Sequence, residues 1–326
     1  MSDTVKTKVI GIDIGVKTTT VAVVDQRGKI LAEESFGTTG FTFVNNFVEA
    51  LAERVVSLAE ANGGYESIRS VGISAPSSNY LTGCIENAPN LPWKGVIPLA
   101  AMLRDSVGLA VAIGNDAHAM ALGENVYGMA HGMENFIIVT LFYGGVGSCF
   151  FSGGTPHLGF GGYAGEVGHS CVVDHGRTCN CGHQGCLEEY ASERGIIQTA
   201  KELVETTSTP SLLRDVQDMT LAAVCRCSEL GDELALEVWK RTGLLLGIAL
   251  ANYASIVNPE AVILTGEMTK MCKWLWKPAE ASFREHVFGN IRDKVKFVVS
   301  PIDDRECNVL GASAMAWNVK EYSLFK

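Results

Sequence analysis

Hydrophobic positions near the start of the chain alternate with polar residues and glycines in a way that predicts strands followed by a helix. Apolar runs occupy 8–15, 18–25 and 29–35, and short polar or glycine inserts separate them. Such closely spaced runs predict a β-hairpin meander. Between 42 and 61 the apolar residues recur at helical spacing, and the Asn-Gly-Gly sequence at 62–64 ends the helix. The chain is therefore predicted to begin with an α/β unit whose first strands form a hairpin.

A second unit with the same order of elements follows further along the chain. The later elements predicted from the pattern are strands at 70–76 and 111–116, a strand, glycine turn and strand at 135–154, a helix at 233–256, strands at 261–266 and 295–301, and a closing helix at 310–323. Because each half begins with a hairpin that contains a glycine turn, we predict two similar α/β lobes around a cleft.

The boundary between the two lobes is predicted near Asn115. Residues 1–115 would form the smaller N-terminal lobe, and 116–309 the larger C-terminal lobe, which contains the Cys- and His-rich segment 165–190. The closing segment 310–326 would pack back on the first lobe. A chain of 326 residues with 47% apolar and 8% aromatic residues is long and apolar enough to bury two cores.

Charge and targeting signals narrow the classes of partner. The net charge is −10, and no stripe rich in Lys and Arg is present, which argues against a nucleic-acid partner. The first residues lack the apolar core of a signal peptide, and no later segment has the length and hydrophobicity of a membrane span. We therefore expect a cytoplasmic protein without a membrane partner, in which the ten cysteines are reduced.

Four residues have the spacing of a metal site. His169, Cys179, Cys181 and Cys186 follow the pattern H-x9-C-x-C-x4-C, which puts three thiolates and one imidazole within 18 residues. This is a complete tetrahedral ligand set for Zn²⁺ and leaves no position for a reactive water, as in structural zinc sites. A disulfide is a poor alternative, because Cys179 and Cys181 are too close along the chain to bond easily.

Two carboxylates flank this cluster. Glu166 precedes the first candidate ligand by three residues, and Glu188 follows the last by two. A rigid metal site would hold both glutamates near His169, whose second ring nitrogen would remain able to donate to a ligand hydroxyl. The resulting set of donors and acceptors suits a polyhydroxylated ligand. The alternative is a solvated zinc knuckle that binds nothing else.

Polar residues at strand ends form a second group of candidates. Asp13 ends a predicted strand beside Gly15, where a carboxylate can hold Mg²⁺ through water near a phosphate, although such a turn is often only a turn. Asn115 and Asp116 lie where a strand enters a helix. Asp116 is therefore either a helix N-cap or a general base that takes a proton from a hydroxyl, with Asn115 binding a neighbouring hydroxyl. Asn90, on a loop of turn residues, could line the same cleft.

These motifs resemble those of the ROK family of bacterial sugar kinases and related repressors, over essentially the whole chain. The segments that carry the resemblance are IGIDIG (10–15), APNLPW (88–93), GNDAHAMALGE (114–124), GGVGS (144–148), GEVGH (165–169) and CNCGHQGCLE (179–188). The resemblance implies the two-lobed actin-like or hexokinase-like (ribonuclease H-like) α/β fold, a structural Zn²⁺, a homodimer or higher homo-oligomer, and phosphorylation of a hexose by ATP and Mg²⁺, usually at the 6-hydroxyl.

The resemblance also implies roles for individual residues. Asp116 matches the catalytic base of the family. The positions that match sugar-binding residues are Asn90, Asn115, Glu166, His169 and Glu188. The positions that match the nucleotide site are Asp13, Gly15, Lys17, Thr18, Gly144, Gly145 and Gly266. The pocket suits glucose or a close relative such as an N-acetylated hexosamine.

Two of the expected phosphate loops depart from the family pattern. The first usually reads D-x-G-G-T, but here DIGVK (13–17) puts Val16 at a glycine position, where a positive φ would be costly for a β-branched residue. Lys17 could still offer its charge to a phosphate. The second usually reads L-G-T-G-x-G, but Phe142 and Tyr143 replace the Gly-Thr pair, so the expected hydroxyl is missing.

The third nucleotide turn is altered as well. Glu267 follows Gly266 and would place a negative charge near a polyanionic nucleotide, and His118 stands where the family often has Asn. Losing a preorganised phosphate donor can reduce a rate by about 10²–10³-fold. Two functions therefore stay open: an ATP-dependent hexose kinase, or a catalytically impaired sugar-binding or regulatory protein. The repressor branch is not expected, because no DNA-binding segment precedes Val9.

Overall fold

The protein is a mixed α/β molecule, and the computed structural model describes residues 6–142, 144–302 and 304–319. Its strands are β1 (Lys8–Ile14), β2 (Thr18–Asp25), β3 (Ile30–Gly37), β4 (Ile68–Ser74), β5 (Ser78–Asn79), β6 (Cys84–Glu86), β7 (Val96–Ile97), β8 (Val111–Gly114), β9 (Phe136–Phe142), β10 (Gly145–Ser152), β11 (Thr155–Pro156), β12 (Ala261–Thr265) and β13 (Lys296–Val299). Its helices are α1 (Val44–Ala61), α2 (Leu99–Val107), α3 (Asp116–Tyr127), α4 (Glu188–Ala191), α5 (Glu193–Thr206), α6 (Leu221–Glu229), α7 (Glu233–Val257), α8 (Met268–Met271), α9 (Trp276–His286) and α10 (Asp304–Asn318). Among the described residues, no helix combines the length and hydrophobicity that crossing a membrane requires.

Proximity of Cα atoms divides the chain into two compact units. The described residues of unit 1 come from Met1–Gly132, Pro156–Ala164 and Ile302–Lys326, and those of unit 2 from Met133–Thr155 and Gly165–Pro301. Helix α3 packs against α10 and so belongs with unit 1, whereas the sequence suggested a boundary before it, near Asn115.

Unit 1 is built on a sheet with the strand order β3-β2-β1-β4-β8. The hairpin strands β1, β2 and β3 are antiparallel, and β1, β4 and β8 run parallel. Both faces of β1 are covered, because Ile10 and Ile12 belong to the core beside α1 and α2 while Val9 packs with α10. This burial on two faces explains the continuous apolar run of the sequence.

Close packing of α10 on this sheet depends on glycine. A Cβ at Gly72 of β4 would lie only 1.9 Å from the carbonyl oxygen of Ala312, and one at Gly11 of β1 would lie 2.5 Å from that of Val309.

Helix α10 begins at Asp304, six residues before the predicted start, because its first turn is polar and hides the apolar periodicity. The end predicted at 323 lies outside the described residues, and α10 ends at Asn318.

Unit 2 repeats the arrangement with the strand order β11-β10-β9-β12-β13. The hairpin β9–β10 is antiparallel, and β12 runs parallel to both β9 and β13. Helix α7 supplies much of the core, including Trp239, Leu246 and Leu250, all at most 1% exposed. Asp232 caps the N-terminus of α7 by accepting the Ala235 N–H at 2.8 Å. The predicted helix at 233–256 thus agrees with the structure within one residue.

Candidate functional site

Four side chains in unit 2 meet with the spacing of a metal site. The candidate ligand atoms of His169, Cys179, Cys181 and Cys186 all lie within 4.8 Å of one another. The Sγ atoms of Cys181 and Cys186 are 3.6 Å apart, and His169 Nδ1 is 3.7 Å from Cys179 Sγ. Tetrahedral coordination with Zn–S distances near 2.3 Å and Zn–N near 2.0 Å needs ligand separations of about 3.5–3.8 Å. The four residues therefore fit Zn²⁺.

Short backbone contacts shape the loop that carries these thiols. The N–H of Cys179 donates to the His183 carbonyl at 2.8 Å, and Gly182, with a φ of 92°, donates back to the Cys179 carbonyl at 3.0 Å. Burial raises the pKa of the Cys179 and Cys186 thiols, whereas the backbone N–H of His183 lowers the pKa of Cys181. A divalent cation among them would favour the thiolate of all three.

Arg177 fastens this loop to the helices behind it. Its guanidinium donates to the carbonyls of Glu189 at 2.6 Å and Gly195 at 2.9 Å, to Thr199 Oγ1 at 2.9 Å, and to both carboxylate oxygens of Glu202 at 3.0 and 2.6 Å. The sequence did not single out Arg177, because its partners lie on α4 and α5 and share no short motif with it. The loop is thus positioned from one side by the candidate metal ligands and from the other by Arg177.

Glu166, His169 and Glu188 lie beside the metal cluster in the same unit. Burial raises the pKa of the Glu166 carboxyl above its ordinary value. His169 offsets part of this rise, and the Glu188 carboxylate adds to it. Since Nδ1 of His169 faces Cys179, Nε2 is its second ring nitrogen for a ligand. Glu188 Oε2 accepts the Val146 N–H at 3.2 Å, and its Oε1 lies 3.1 Å from Arg194 Nη2. Unit 2 therefore brings together the metal cluster and three predicted sugar-binding residues.

Unit 1 carries the candidate base at the carboxyl end of its parallel strands. Asn115, and not Asp116, is the N-cap of α3, since Asn115 Oδ1 accepts the His118 N–H at 2.8 Å. The interpretation of Asp116 as the cap is therefore wrong. Ser74 Oγ, at the end of β4, donates to Asp116 Oδ1 at 2.9 Å and orients the carboxylate. The sequence missed Ser74, which lies 42 residues from Asp116.

Two more predicted residues lie in unit 1. Asp13 is the parallel register partner of Ser74, so it lies at the same end of the sheet, and Asn308 Nδ2 donates to Asp13 Oδ2 at 3.4 Å. Asn90 is exposed on the loop between β6 and β7. Unit 1 therefore places Asp13, Ser74 and Asn115 together at the ends of three neighbouring strands.

The first glycine turn is a tight connection between β1 and β2. Gly15 N–H donates to the Thr18 carbonyl at 3.0 Å, and Thr38 Oγ1 donates to the Gly15 carbonyl at 2.8 Å. The Thr38 N–H also binds the Lys17 carbonyl at 2.9 Å. Val16 does not have a positive φ. The strain that the sequence suggested at Val16 is therefore absent, and the turn accepts the β-branched residue.

The remaining glycine turns lie at one end of the unit 2 sheet. Thr140 and Thr265 are register partners on β9 and β12, so the turns that follow these two strands leave the sheet at the same end. A Cβ on Gly144 would meet no described atom within 4 Å, whereas a Cβ on Gly145 would lie 2.4 Å from Glu188 Oε2. Gly266 has a φ of 103°. Tyr143 lies outside the described residues.

The sequence model of the ROK family matches residues 9–319. The chain belongs to the ROK family. It is 30% identical to a glucokinase of Halalkalibacterium halodurans over 96% of this chain and 94% of that protein. It is 28% identical to the DNA-binding transcriptional dual regulator NagC of Escherichia coli, over 94% of this chain and 74% of the regulator.

A solved ROK structure agrees with this membership. A glucokinase from Streptomyces griseus, in complex with glucose and AMPPNP, has 29% identity and a TM-score of 0.76, covering 96% of this chain and 100% of that one. The predicted actin-like, hexokinase-like α/β fold class is thereby confirmed, as is the resemblance to ROK sugar kinases. Because ROK relatives include kinases and transcription regulators, the residues of this chain must decide between these activities.

Proposed function

We propose that this ROK protein transfers the γ-phosphoryl group of ATP to a hydroxyl of a hexose, with Asp116 as the general base. The contact from Ser74 to Asp116 is the observation that supports this most directly. It fixes a carboxylate at the carboxyl end of the sheet, while Asn115 takes over the capping of α3. A carboxylate held in this way suits proton abstraction from a sugar hydroxyl.

The proposed reaction leaves the protein unchanged. As the sugar oxygen forms its bond to the γ-phosphorus, the bond from that phosphorus to the bridging oxygen breaks, and ADP leaves with the electron pair. The hydroxyl proton passes to the carboxylate of Asp116, which releases it to solvent before the next turnover. Asp13 would hold Mg²⁺, which neutralises charge on the phosphates when bound. Lys17 and Thr18 and the turns at Gly15, Gly144, Gly145 and Gly266 would contact the nucleotide.

Sugar recognition is assigned to five polar residues. Glu166, His169, Glu188, Asn90 and Asn115 would bind hydroxyls. Zn²⁺ bound by His169 and the three cysteines would cross-link the loop and fix the His169 imidazole through Nδ1. Because the oxygen of Asn115 already accepts the His118 N–H, its Nδ2 donors are the part of the amide for a sugar oxygen.

A second candidate function is a sugar-binding or regulatory protein that uses ATP poorly. One observation favours it: the Glu188 carboxylate accepts the Val146 N–H, directly beside the turn at Gly144 and Gly145. A carboxylate there competes with a phosphate for backbone donors. Glu267 is exposed next to Gly266 and adds a second negative charge near a nucleotide turn.

One set of measurements separates these functions. ADP release should be followed with a panel of hexoses, alongside calorimetric titration of each hexose and of ATP–Mg²⁺. Asp116→Asn should abolish turnover and retain hexose binding, whereas Asp105→Asn, a surface carboxylate paired with Arg104, should leave both unchanged. Hexose binding without nucleotide binding would refute the kinase and support the regulatory alternative. Binding of neither ligand would refute both.

We also propose a homodimer. Apolar side chains on unit 2 support it: Ile256 is 80% and Phe288 57% exposed, and the Phe288 N–H donates to Ser255 Oγ at 3.1 Å, which brings the two neighbourhoods together. Exposed apolar groups of this kind are typical of association surfaces. Light scattering after size-exclusion chromatography should give twice the mass of the chain, and Ile256→Asp should shift the protein towards the monomer.

A further inference from the structure

The loop that carries Asn90 has closed ends but few internal backbone bonds. At its ends the Asn87 N–H donates to the Gly95 carbonyl at 2.9 Å, and both residues adopt positive φ, 51° and 87°. Pro89 and Pro92 lie between them and have no N–H to donate. Carbonyls on this stretch therefore need donors from elsewhere to hold one conformation.

Buried side chains anchor one side of the loop. Leu91 is 2% and Trp93 5% exposed. The Trp93 indole N–H donates to the Phe41 carbonyl at 3.0 Å, and its ring centroid lies 4.5 Å from that of Phe47. These contacts hold the loop against the core of unit 1, but they do not involve Asn90, which is exposed.

Lys94 bonds to backbone carbonyls before and after Asn90. Its Nζ donates to the carbonyls of Ala88 at 3.3 Å, Pro89 at 3.0 Å and Leu91 at 3.2 Å. The Pro89 carbonyl belongs to the peptide bond that enters Asn90, and the Leu91 carbonyl belongs to the residue that follows Asn90. The three donors of one ammonium group thus fix the backbone on both sides of Asn90.

Among the described residues, the arrangement of Lys94 and Asn90 is explained neither by an ion pair of Lys94 nor by a hydrogen bond of the Asn90 side chain. Within the described part of the chain, Lys94 forms no salt bridge and the Asn90 side chain makes no hydrogen bond. The charged donor strengthens each bond to a carbonyl. A side chain that is held in place by its backbone and left without a protein partner is prepared for a ligand, since less conformational freedom is lost on binding.

We propose that Lys94 is a positioning residue, which orients Asn90 for a sugar hydroxyl by bracketing its backbone. This inference rests on the proposed function, because it assumes that Asn90 binds the sugar. Lys94 acts through Asn90, so removing Lys94 should weaken sugar binding only while the Asn90 amide is present. Binding of ATP–Mg²⁺ should be unaffected.

A double-mutant cycle tests this dependence. Dissociation constants for glucose, or for the hexose that the wild-type chain binds best, should be measured by calorimetry for Lys94→Met, Asn90→Ala and the double variant. Lys94→Met should raise the constant about 5–20-fold, as expected for lost preorganisation. In the Asn90→Ala background the same change should cost less than about twofold, since coupled residues are not additive.

Three controls distinguish positioning from general stabilisation. Lys94→Arg, which keeps charged donors, should recover most of the affinity, and Lys29→Met, an exposed lysine of the same unit, should change nothing. Melting temperatures and the affinity for ATP–Mg²⁺ should match the wild type. Independent, multiplicative effects of Lys94 and Asn90 would overturn the inference, as would unchanged binding in Lys94→Met. If the wild type binds no hexose, the proposed function fails as well.

Discussion

Arg177→Met should destabilise unit 2 and loosen its metal loop. Arg177 is 15% exposed at its side chain and links the loop to α4 and α5 through five hydrogen bonds. Its guanidinium also lies 4.5 Å from the centre of the Tyr190 ring. Methionine keeps most of the apolar stem but offers no donor. The carbonyls of Glu189 and Gly195 would then lose their partner.

The size of the effect follows from these contacts. Each of the two carbonyl bonds is worth about 1–1.5 kcal/mol net. Stacking on Tyr190 adds about 0.5–1 kcal/mol. The ion pair with Glu202 adds at most about 1 kcal/mol, because the Glu202 side chain is 42% exposed and water screens the pair. The total loss is about 2.5–5 kcal/mol, which corresponds to a melting temperature lowered by about 5–20 °C for a unit of this size.

Thermal unfolding monitored by circular dichroism measures this loss, and a zinc-sensitive dye in the presence of chelator measures metal release. Arg241→Met is the matched control, because Arg241 is 53% exposed and pairs with Glu237 only one helical turn away. It should change the free energy of unfolding by less than about 0.5 kcal/mol. A difference of about 2 °C in melting temperature corresponds to at most about 1 kcal/mol. If the melting temperatures of Arg177→Met and Arg241→Met differ by less than about 2 °C, the role assigned to Arg177 is wrong.

The loss of stability in Arg177→Met relative to the wild type should become smaller in acid. The hydrogen bond from Arg177 lowers the pKa of Glu202 below its ordinary value of 4.5. A carboxyl with a lowered folded-state pKa stabilises the protein above 4.5, and this contribution disappears as the pH falls through the folded-state pKa. The stability lost in Arg177→Met should therefore become smaller as the pH falls through the folded-state pKa of Glu202. A loss that becomes larger in this range would contradict the contribution assigned to the ion pair.

Three further changes test other parts of the structure. Gly72→Ala would place a Cβ 1.9 Å from the Ala312 carbonyl oxygen and should cost about 3 kcal/mol in urea unfolding. Gly37→Ala, whose Cβ would meet no described atom within 4 Å, should cost less than about 0.5 kcal/mol. Cys186→Ser, or chelation of the wild type, should lower the melting temperature if the metal is structural, and an unchanged curve would exclude that role. Burial lowers the pKa of His118, so the unfolded chain takes up a proton first as the pH falls through 6.5. The free energy of unfolding should therefore decrease as the pH falls through 6.5, and in His118→Gln it should depend less on pH.

Local patterns predicted the hairpins and the long helix well. The strands of 135–154 and the helix from Glu233 were visible because alternation, a glycine turn and helical periodicity are properties of neighbouring residues. The start of α10 at Asp304 was not visible, because a polar first turn has no apolar period. The cost of a positive φ at Val16 does not arise, because Val16 does not adopt one, and the sequence alone does not give the backbone angle of a turn residue.

The candidate site likewise contains residues that a local sequence pattern reveals and residues that only the fold brings together. The metal ligands fall within one short segment, so their spacing alone indicates a site. Ser74, Lys94 and Arg177 act through contacts with carboxylates or carbonyls that the fold brings to them. Ser74 and Asp116 meet because β4 and β8 are neighbouring parallel strands, and no short motif records that pairing.

The two glycines of the second turn, Gly144 and Gly145, have different surroundings. Gly145 lies against the Glu188 carboxylate, which a Cβ would meet at 2.4 Å, so a larger residue would require the end of the Glu188 side chain to shift even without a nucleotide. Gly144 has no neighbour within 4 Å of its Cβ, so packing within the described residues does not require glycine there. Gly145 is therefore weak evidence for ATP binding, and Gly144→Ala is the sharper probe of a phosphate at this turn. A loss of ATP affinity in Gly144→Ala, with hexose affinity intact, would favour the kinase over the regulatory protein.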